Sequence, residues 1–215
     1  MSKKQIKAVI FDIGGVLELG YSSKRKIKGH VNLGVHNYIA RNLGISIDQW
    51  FDSIDTIYAA SITGEISESK VLDIISKNTK TLKQKLKKII IQSYKKNFKQ
   101  NKDLYKFAFK IKKQGYKIAI LSDQWYFSKQ VLIPNKLTKK FNVVVVSCDV
   151  GFRKPKPEIY KIILRKLKLP AKSCIFIDNQ TWNLAPAKKI GIKTILYKNN
   201  KQLFRQLKKL GVKIK

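Results

Sequence analysis

The sequence predicts an α/β fold: a three-layer core in which helices cover both faces of a parallel sheet, with a small all-α unit inserted near its start. Three observations predict it. Short runs rich in apolar residues recur at Ala8–Phe11, Lys117–Leu121, Val143–Ser147, Ile175–Ile177 and Thr194–Tyr197, as they do in strands buried on both faces. From Leu104 onward such runs alternate with helical spacing, which argues for right-handed strand–helix–strand crossovers. Between residues 18 and 99 the strand-like runs disappear and helical spacing takes over. The core is therefore expected over residues 1–17 and 100–215, and the helical insertion over 18–99.

The first strand ends at Asp12, followed by Gly14 and Gly15. Catalytic groups of open α/β sheets sit just beyond the carboxyl ends of strands, so Asp12 is a candidate nucleophile or metal ligand. An aspartate that only caps a glycine turn fits the same pattern. In the insertion, Val31, Val35, Tyr38 and Ile39, then Trp50, Phe51, Ile54, Ile57 and Tyr58, keep helical spacing. Gly64-Glu65-Ile66-Ser67 interrupts them; Ser67 is placed to cap a helix running through Val71, Leu72, Ile74 and Ile75, with Glu68 in its first turn. A lysine-rich amphipathic helix is expected from Thr81 to Phe98, its apolar side including Leu82, Leu86, Ile89, Ile90 and Tyr94.

In the second part of the core, a helix from Leu104 to Lys113 stops at Gly115 and a strand from Lys117 to Leu121 ends at Ser122 and Asp123. A helix starts at Pro157, where proline suits the first turn, and runs to Leu167. The strand at Ile175–Ile177 ends on Asp178. A helix through Leu184, Ala187 and Ile190 stops at Gly191, and a last helix spans Gln202 to Leu210.

Composition narrows the function classes. No apolar run approaches the roughly 20 residues that cross a bilayer, so a cytoplasmic protein without membrane contact is expected. Cys148 and Cys174 fall in or beside buried strands, which does not suggest a disulfide framework. Against 46 Lys+Arg stand 13 Asp+Glu, a formal charge of +33. Such a field attracts polyanions, nucleic acid among them. Nearly all of that charge is lysine, though, and arginine is the residue suited to bidentate phosphate and base contacts. With no nucleic-acid motif beside it, a solvated lysine-rich surface is the favoured reading.

Four polar positions stand at strand ends or in the loops just after them: Asp12, Ser122, Lys154 and Asp178. Their chemistry suits phosphoryl transfer, with one carboxylate to attack phosphorus, a second to help hold Mg²⁺, and a lysine and a hydroxyl to meet the phosphoryl oxygens. Singly, each has an ordinary reading: helix cap, surface lysine, Asx turn. Together, Phe11–Leu17, Ile120–Asp123, Gly151–Tyr160 and Ile177–Asn179 with Asn183, Ala185, Ala187 and Gly191 resemble the four ordered motifs of the haloacid dehalogenase-like hydrolase superfamily. They resemble in particular its phosphatases with a helical cap inserted after the first strand of a Rossmann-like core.

That resemblance implies a Mg²⁺-dependent phosphatase acting on a small phosphorylated metabolite. It implies Asp12 as nucleophile; Asp12, Asp178 and the backbone carbonyl of Gly14 as metal ligands; Ser122, Asp123 and Lys154 around the phosphate; and Asn179 and Asn183 in support. Lys156 stands where such proteins often carry an acid, and takes no role. Phosphatases of this kind usually place an aspartate two residues after the nucleophile as general acid and base. Here that position is Gly14, which implies slower turnover rather than none, since such help is typically worth about 10² to 10⁴ in rate. A catalytically weak protein binding nucleic acid or acidic partners is the alternative. A 2-haloacid dehalogenase comes third, because that branch typically has an aromatic residue where Gly14 stands. His30 and His36, six apart, do not make a helical metal pair, and Trp125 is expected to pack.

Overall fold

In the computed structural model, which describes residues 5–20 and 33–213, the first strand β1 (Ala8–Phe11) is followed by a tight loop and a short strand β2 (Glu18–Gly20). Four helices come next: α1 (Leu33–Leu43), α2 (Ile47–Thr63), α3 (Glu68–Thr79) and α4 (Lys83–Asn97). Strand β3 (Phe98–Gln100) then returns antiparallel to β2, with Glu18 opposite Gln100 and Gly20 opposite Phe98. The helices therefore leave and rejoin the core through a two-stranded stalk. The expected helical insertion thus has a short strand at each end, which the sequence reading did not include because three-residue strands are too short for alternation to register.

Local chemistry explains where the helices begin and end. Ser46 and Gln49 form a reciprocal capping box at the start of α2, with bonds of 2.8 and 3.0 Å. Ser67 accepts from the amide of Lys70 at 3.2 Å, the cap expected for α3. Leu82 departs from expectation: it precedes the first turn of α4 and is 79% exposed, so it is not on the packed stripe. Trp50 donates to His36 Nδ1 at 2.8 Å, an ordinary packing role for that histidine; His30 and Val31 lie outside the described residues.

The core continues with α5 (Lys102–Lys113), β4 (Lys117–Ser122), α6 (Tyr126–Leu132), α7 (Asn135–Thr138), β5 (Val143–Val146), α8 (Ser147–Val150) and α9 (Pro157–Leu167). It closes with β6 (Cys174–Asp178), α10 (Thr181–Lys189), β7 (Lys193–Leu196) and α11 (Asn200–Lys209). The short helices α6, α7 and α8 carry too few turns to show a helical period, and sequence reading passes over them. Five strands form one parallel sheet in the order β5-β4-β1-β6-β7.

Alternate residues of the strands feed two apolar layers. Ala8, Ile10, Ala119, Leu121 and Phe176 face Ile159, Ile163, Leu167 and Ala187 of α9 and α10. Val9, Phe11, Ile118, Ile120 and Ile177 face Leu104, Ala108 and Ile111 of α5 and Leu203 and Leu207 of α11. Helix α4 packs on α6 and α2 on α8, which seats the insertion over one edge of the sheet. Both cysteines are buried and free, and Trp125 is buried with its indole N–H on Tyr94 Oη at 2.8 Å. Among the described residues no helix is long and apolar enough to cross a membrane.

Candidate active site

Parallel register decides which side chains meet. Phe11 pairs with Ile120 on one side and Ile177 on the other, so Asp12 and Asp178 emerge level, and Ser122 one residue beyond. The edge at which they emerge is the carboxyl edge of the sheet. The backbone after Asp12 is turned back sharply: Gly15 N donates to the carbonyl of Glu18 at 2.8 Å, and Glu18 N to that of Ile13 at 2.8 Å. Gly15 sits at φ 79°, and a Cβ there would strike the side-chain amide of Asn179. Both its backbone angle and its neighbour require glycine. Gly14 differs: its φ is not positive, and nothing lies within 4 Å of where a Cβ would stand.

Lys154 ties the carboxylates together. Its Nζ lies 3.0 Å from Asp12 Oδ1 and donates to Asp178 Oδ2 at 2.7 Å. Asp178 is fully buried; its carboxylate also accepts from Gln180 N at 2.8 Å and from the amide of Asn183 at 3.1 and 3.2 Å. Asn183 is fixed in turn by Tyr160, whose hydroxyl donates to its carbonyl at 2.7 Å. Asp123 Oδ1 accepts the backbone N–H of Lys154 at 3.0 Å, so this carboxylate positions the lysine loop. Ser122 Oγ accepts from Gln124 Nε2 at 3.0 Å.

Above these groups is a cavity of about 180 Å³. Its floor holds Asp12, Gly14, Ser122, Asp123, Lys154, Asn179, Gln180 and Asn183; Tyr58, Ile62, Tyr94, Phe98, Trp125 and Leu132 close it over. All the site residues expected from the sequence are thus brought together, Asn179 and Asn183 included, apart from Asp178, which lies beneath the floor and reaches it through Lys154. Gln124 and Gln180 were not foreseen, although each lies within two residues of one that was. Tyr58 was read only as part of an apolar stripe, which its ring satisfies and its hydroxyl does not.

Burial pushes the Asp12 carboxyl up to about 7; Lys154 pulls it back and Asp178 pushes it further up. Burial also opposes the charge of Lys154, but Asp12, Asp178 and Asp123 together outweigh it and its pKa is raised. One buried ammonium thus serves three carboxylates, and the cluster is short of positive charge. No three His, Cys, Asp or Glu side chains group to hold a metal among the described residues. Two carboxylates and a carbonyl, all hard oxygen donors, still suit Mg²⁺, which keeps several waters and takes one or two carboxylates from a protein.

Comparison with known proteins places these observations. A family model described as haloacid dehalogenase-like hydrolase matches residues 6–191. Rat bifunctional epoxide hydrolase 2 is 31% identical over 115 residues, which are 51% of this chain and 21% of that protein. The glyceraldehyde 3-phosphate phosphatase of Pyrococcus furiosus is 28% identical over 102 residues, 45% of this chain and 41% of the other. The chain therefore spans well under half the length of these two relatives. A haloacid dehalogenase family enzyme of Bacteroides thetaiotaomicron, solved with magnesium and inorganic phosphate, superposes with a TM-score of 0.72 at 20% identity. The match covers 93% of this chain and all of that one, and is a likeness of fold.

Proposed function

The chain belongs to the haloacid dehalogenase-like hydrolases, and on that premise we propose that it is a Mg²⁺-dependent phosphomonoester hydrolase acting on a small phosphorylated metabolite. The observation that carries the reading is the convergence of Asp12, Lys154 and Asp178 on one buried point, roofed by a small cavity. In the proposed reaction an Asp12 oxygen attacks phosphorus and the bond to the leaving group breaks, giving an aspartyl-phosphate. Lys154 offsets charge on nucleophile and phosphate, and the Ser122 hydroxyl donates to a phosphoryl oxygen. Water then attacks phosphorus, and Asp12 departs as carboxylate.

Asp12, Asp178 and the Gly14 carbonyl would hold Mg²⁺, which supplies Lewis-acid stabilisation of the phosphoryl oxygens. Residues 1–17 and 100–215 act as the catalytic core, and the insertion over 18–99 as a cap that excludes bulk water and selects the substrate. Two similar proteins lend support: the Pyrococcus furiosus enzyme is a phosphatase of glyceraldehyde 3-phosphate, a small phosphorylated metabolite, and the Bacteroides thetaiotaomicron enzyme is seen in complex with magnesium and inorganic phosphate. The test is hydrolysis of p-nitrophenyl phosphate with Mg²⁺ by the wild type and by Asp12→Asn. The wild type is expected to release phosphate and the variant to lose at least about 10³ of that rate. Equal inertness of both over a broad phosphate panel would sink the reading.

A further inference from the structure

Gly15 is glycine because its backbone angle and its contact with Asn179 demand it, whereas Gly14 has room and an ordinary backbone. Packing therefore does not explain the missing side chain at Gly14, although that residue opens directly onto the cavity. The other protic groups lining the cavity are largely committed. Lys154 is held between Asp12 and Asp178, and Asp123 accepts from the Lys154 amide. Tyr94 Oη accepts the indole N–H of Trp125, and Ser128 Oγ donates to the carbonyl of Trp125 at 3.1 Å. Ser122 is assigned to the phosphoryl oxygens. Accepting the indole bond leaves Tyr94 its own proton, so among the described lining residues the hydroxyls of Tyr58 and Tyr94, both on the roof, remain to protonate a departing oxygen.

Resting on the hydrolase reading above, we infer that the favoured substrates are small acyl phosphates, whose leaving group is a carboxylate that departs without a proton. The balance closes with the groups present. The Asp12 oxygen–phosphorus bond forms, the phosphorus–oxygen bond to the acyl group breaks, and the carboxylate carries off the electron pair. Water then forms the new phosphorus–oxygen bond, Asp12 leaves as carboxylate, and the proton from water passes to phosphate and solvent. An alkyl phosphate run through the same first step would expel an alkoxide, for which proton donation is most needed. Size agrees: about 180 Å³ is below the roughly 300 Å³ at which pockets for drug-sized ligands begin, which suits a short acyl chain. Beside the two tyrosines, Ile62, Phe98, Trp125 and Leu132 give the roof apolar surface for a short hydrocarbon chain.

The test compares kcat/KM for acetyl phosphate and n-propyl phosphate, with Mg²⁺, in the wild type, Gly14→Asp, Tyr58→Phe and Tyr94→Phe. This ratio reports the step that expels the leaving group, whatever limits later turnover. Because acetyl phosphate is intrinsically the more reactive, the comparison between proteins carries the weight. The acetyl-to-propyl preference is expected to fall at least about 100-fold on Gly14→Asp, the size of general-acid help. Tyr58→Phe and Tyr94→Phe are each expected to leave the preference within about threefold of wild type, since the roof hydroxyls take no part. If Gly14→Asp does not fold, the wild type's own slope over a series of ring-substituted phenyl phosphates decides, with a fall of at least about tenfold expected from p-nitrophenyl to phenyl phosphate. A flat slope, or an unchanged preference in folded Gly14→Asp, would overturn the inference while Asp12-dependent hydrolysis still upheld the hydrolase reading. A preference raised in Tyr58→Phe or Tyr94→Phe would overturn it too, by revealing a donor that propyl phosphate had been using. If no phosphate were hydrolysed in an Asp12-dependent way, both would fall together.

Discussion

Replacing Glu18 by Gln should stabilise this protein, and only on the alkaline side. Glu18 begins β2, is 5% exposed, and its Oε1 accepts the hydroxyl of Tyr105 at 2.9 Å. Burial raises its pKa from 4.5 to about 7, and the Tyr105 bond lowers it only in part. Below pH 4.5 the carboxyl is protonated folded and unfolded, so it contributes fully. Between pH 4.5 and 7 the unfolded chain ionises first, and that contribution is lost as pH rises through the folded pKa. At about 1.36 kcal/mol per pKa step, the interval from 4.5 to about 7 bounds the loss near 3 kcal/mol. A glutamine oxygen accepts from Tyr105 as the carboxyl does and never ionises. Urea unfolding of both proteins should therefore give matching midpoints at pH 4.5 and a gain of about 2 kcal/mol for Glu18→Gln at pH 8. Shifts common to both proteins, such as that of Asp12, cancel in the difference. No gain at pH 8, or one as large at pH 4.5, would refute the assignment of an uncompensated buried carboxyl.

Two further outcomes follow from the site. Lys154→Met removes the ammonium shared by Asp12 and Asp178 and leaves both buried carboxylates uncompensated, so a loss of about 3–5 kcal/mol is expected. Added Mg²⁺ should raise the melting temperature of this variant more than that of wild type; an equal rise in calorimetry would count against a cation between those carboxylates. Gly15→Ala meets both a positive φ and the Asn179 amide, and should cost about 2 kcal/mol or more while Gly14→Ala costs under about 1. Similar melting points for these two variants would remove the distinction drawn between the adjacent glycines.

Much of this was legible beforehand because the core elements are long enough to show a period. The helix over Pro157–Leu167 begins at a proline and keeps an apolar stripe, and its bounds agree with the reading from sequence. Asp12, Ser122 and Asp178 stood out because a buried strand ending in a polar residue is an unusual join. What stayed hidden was set by contacts distant in sequence. Asp123 reads as a neighbour of Ser122, but its carboxylate meets the backbone of Lys154, 31 residues on. Tyr58 looked like one of several packed residues because nothing in its own helix says which face lies over Asp12. Strands β2 and β3 are written nearly eighty residues apart, and only the closed chain puts Glu18 opposite Gln100.

The stalk has a consequence for how the molecule can change. Beside it, Asn101 N donates to the carbonyl of Leu17 at 2.9 Å, and its side-chain amide reaches the carbonyl of Val16 at 3.0 Å and Tyr197 Oη at 2.9 Å. The two points where the chain departs and returns are already neighbours, and they are stitched to the far side of the sheet. A different set of helices grafted between Leu17 and Asn101 would inherit the same anchorage. The loop-closure cost of a longer graft grows only with the logarithm of its length, about 0.6 kcal/mol per doubling. Lineages could thus trade one roof for another of different size while Asp12, Lys154 and Asp178 kept their spacing, so new substrates become accessible without rebuilding the chemistry.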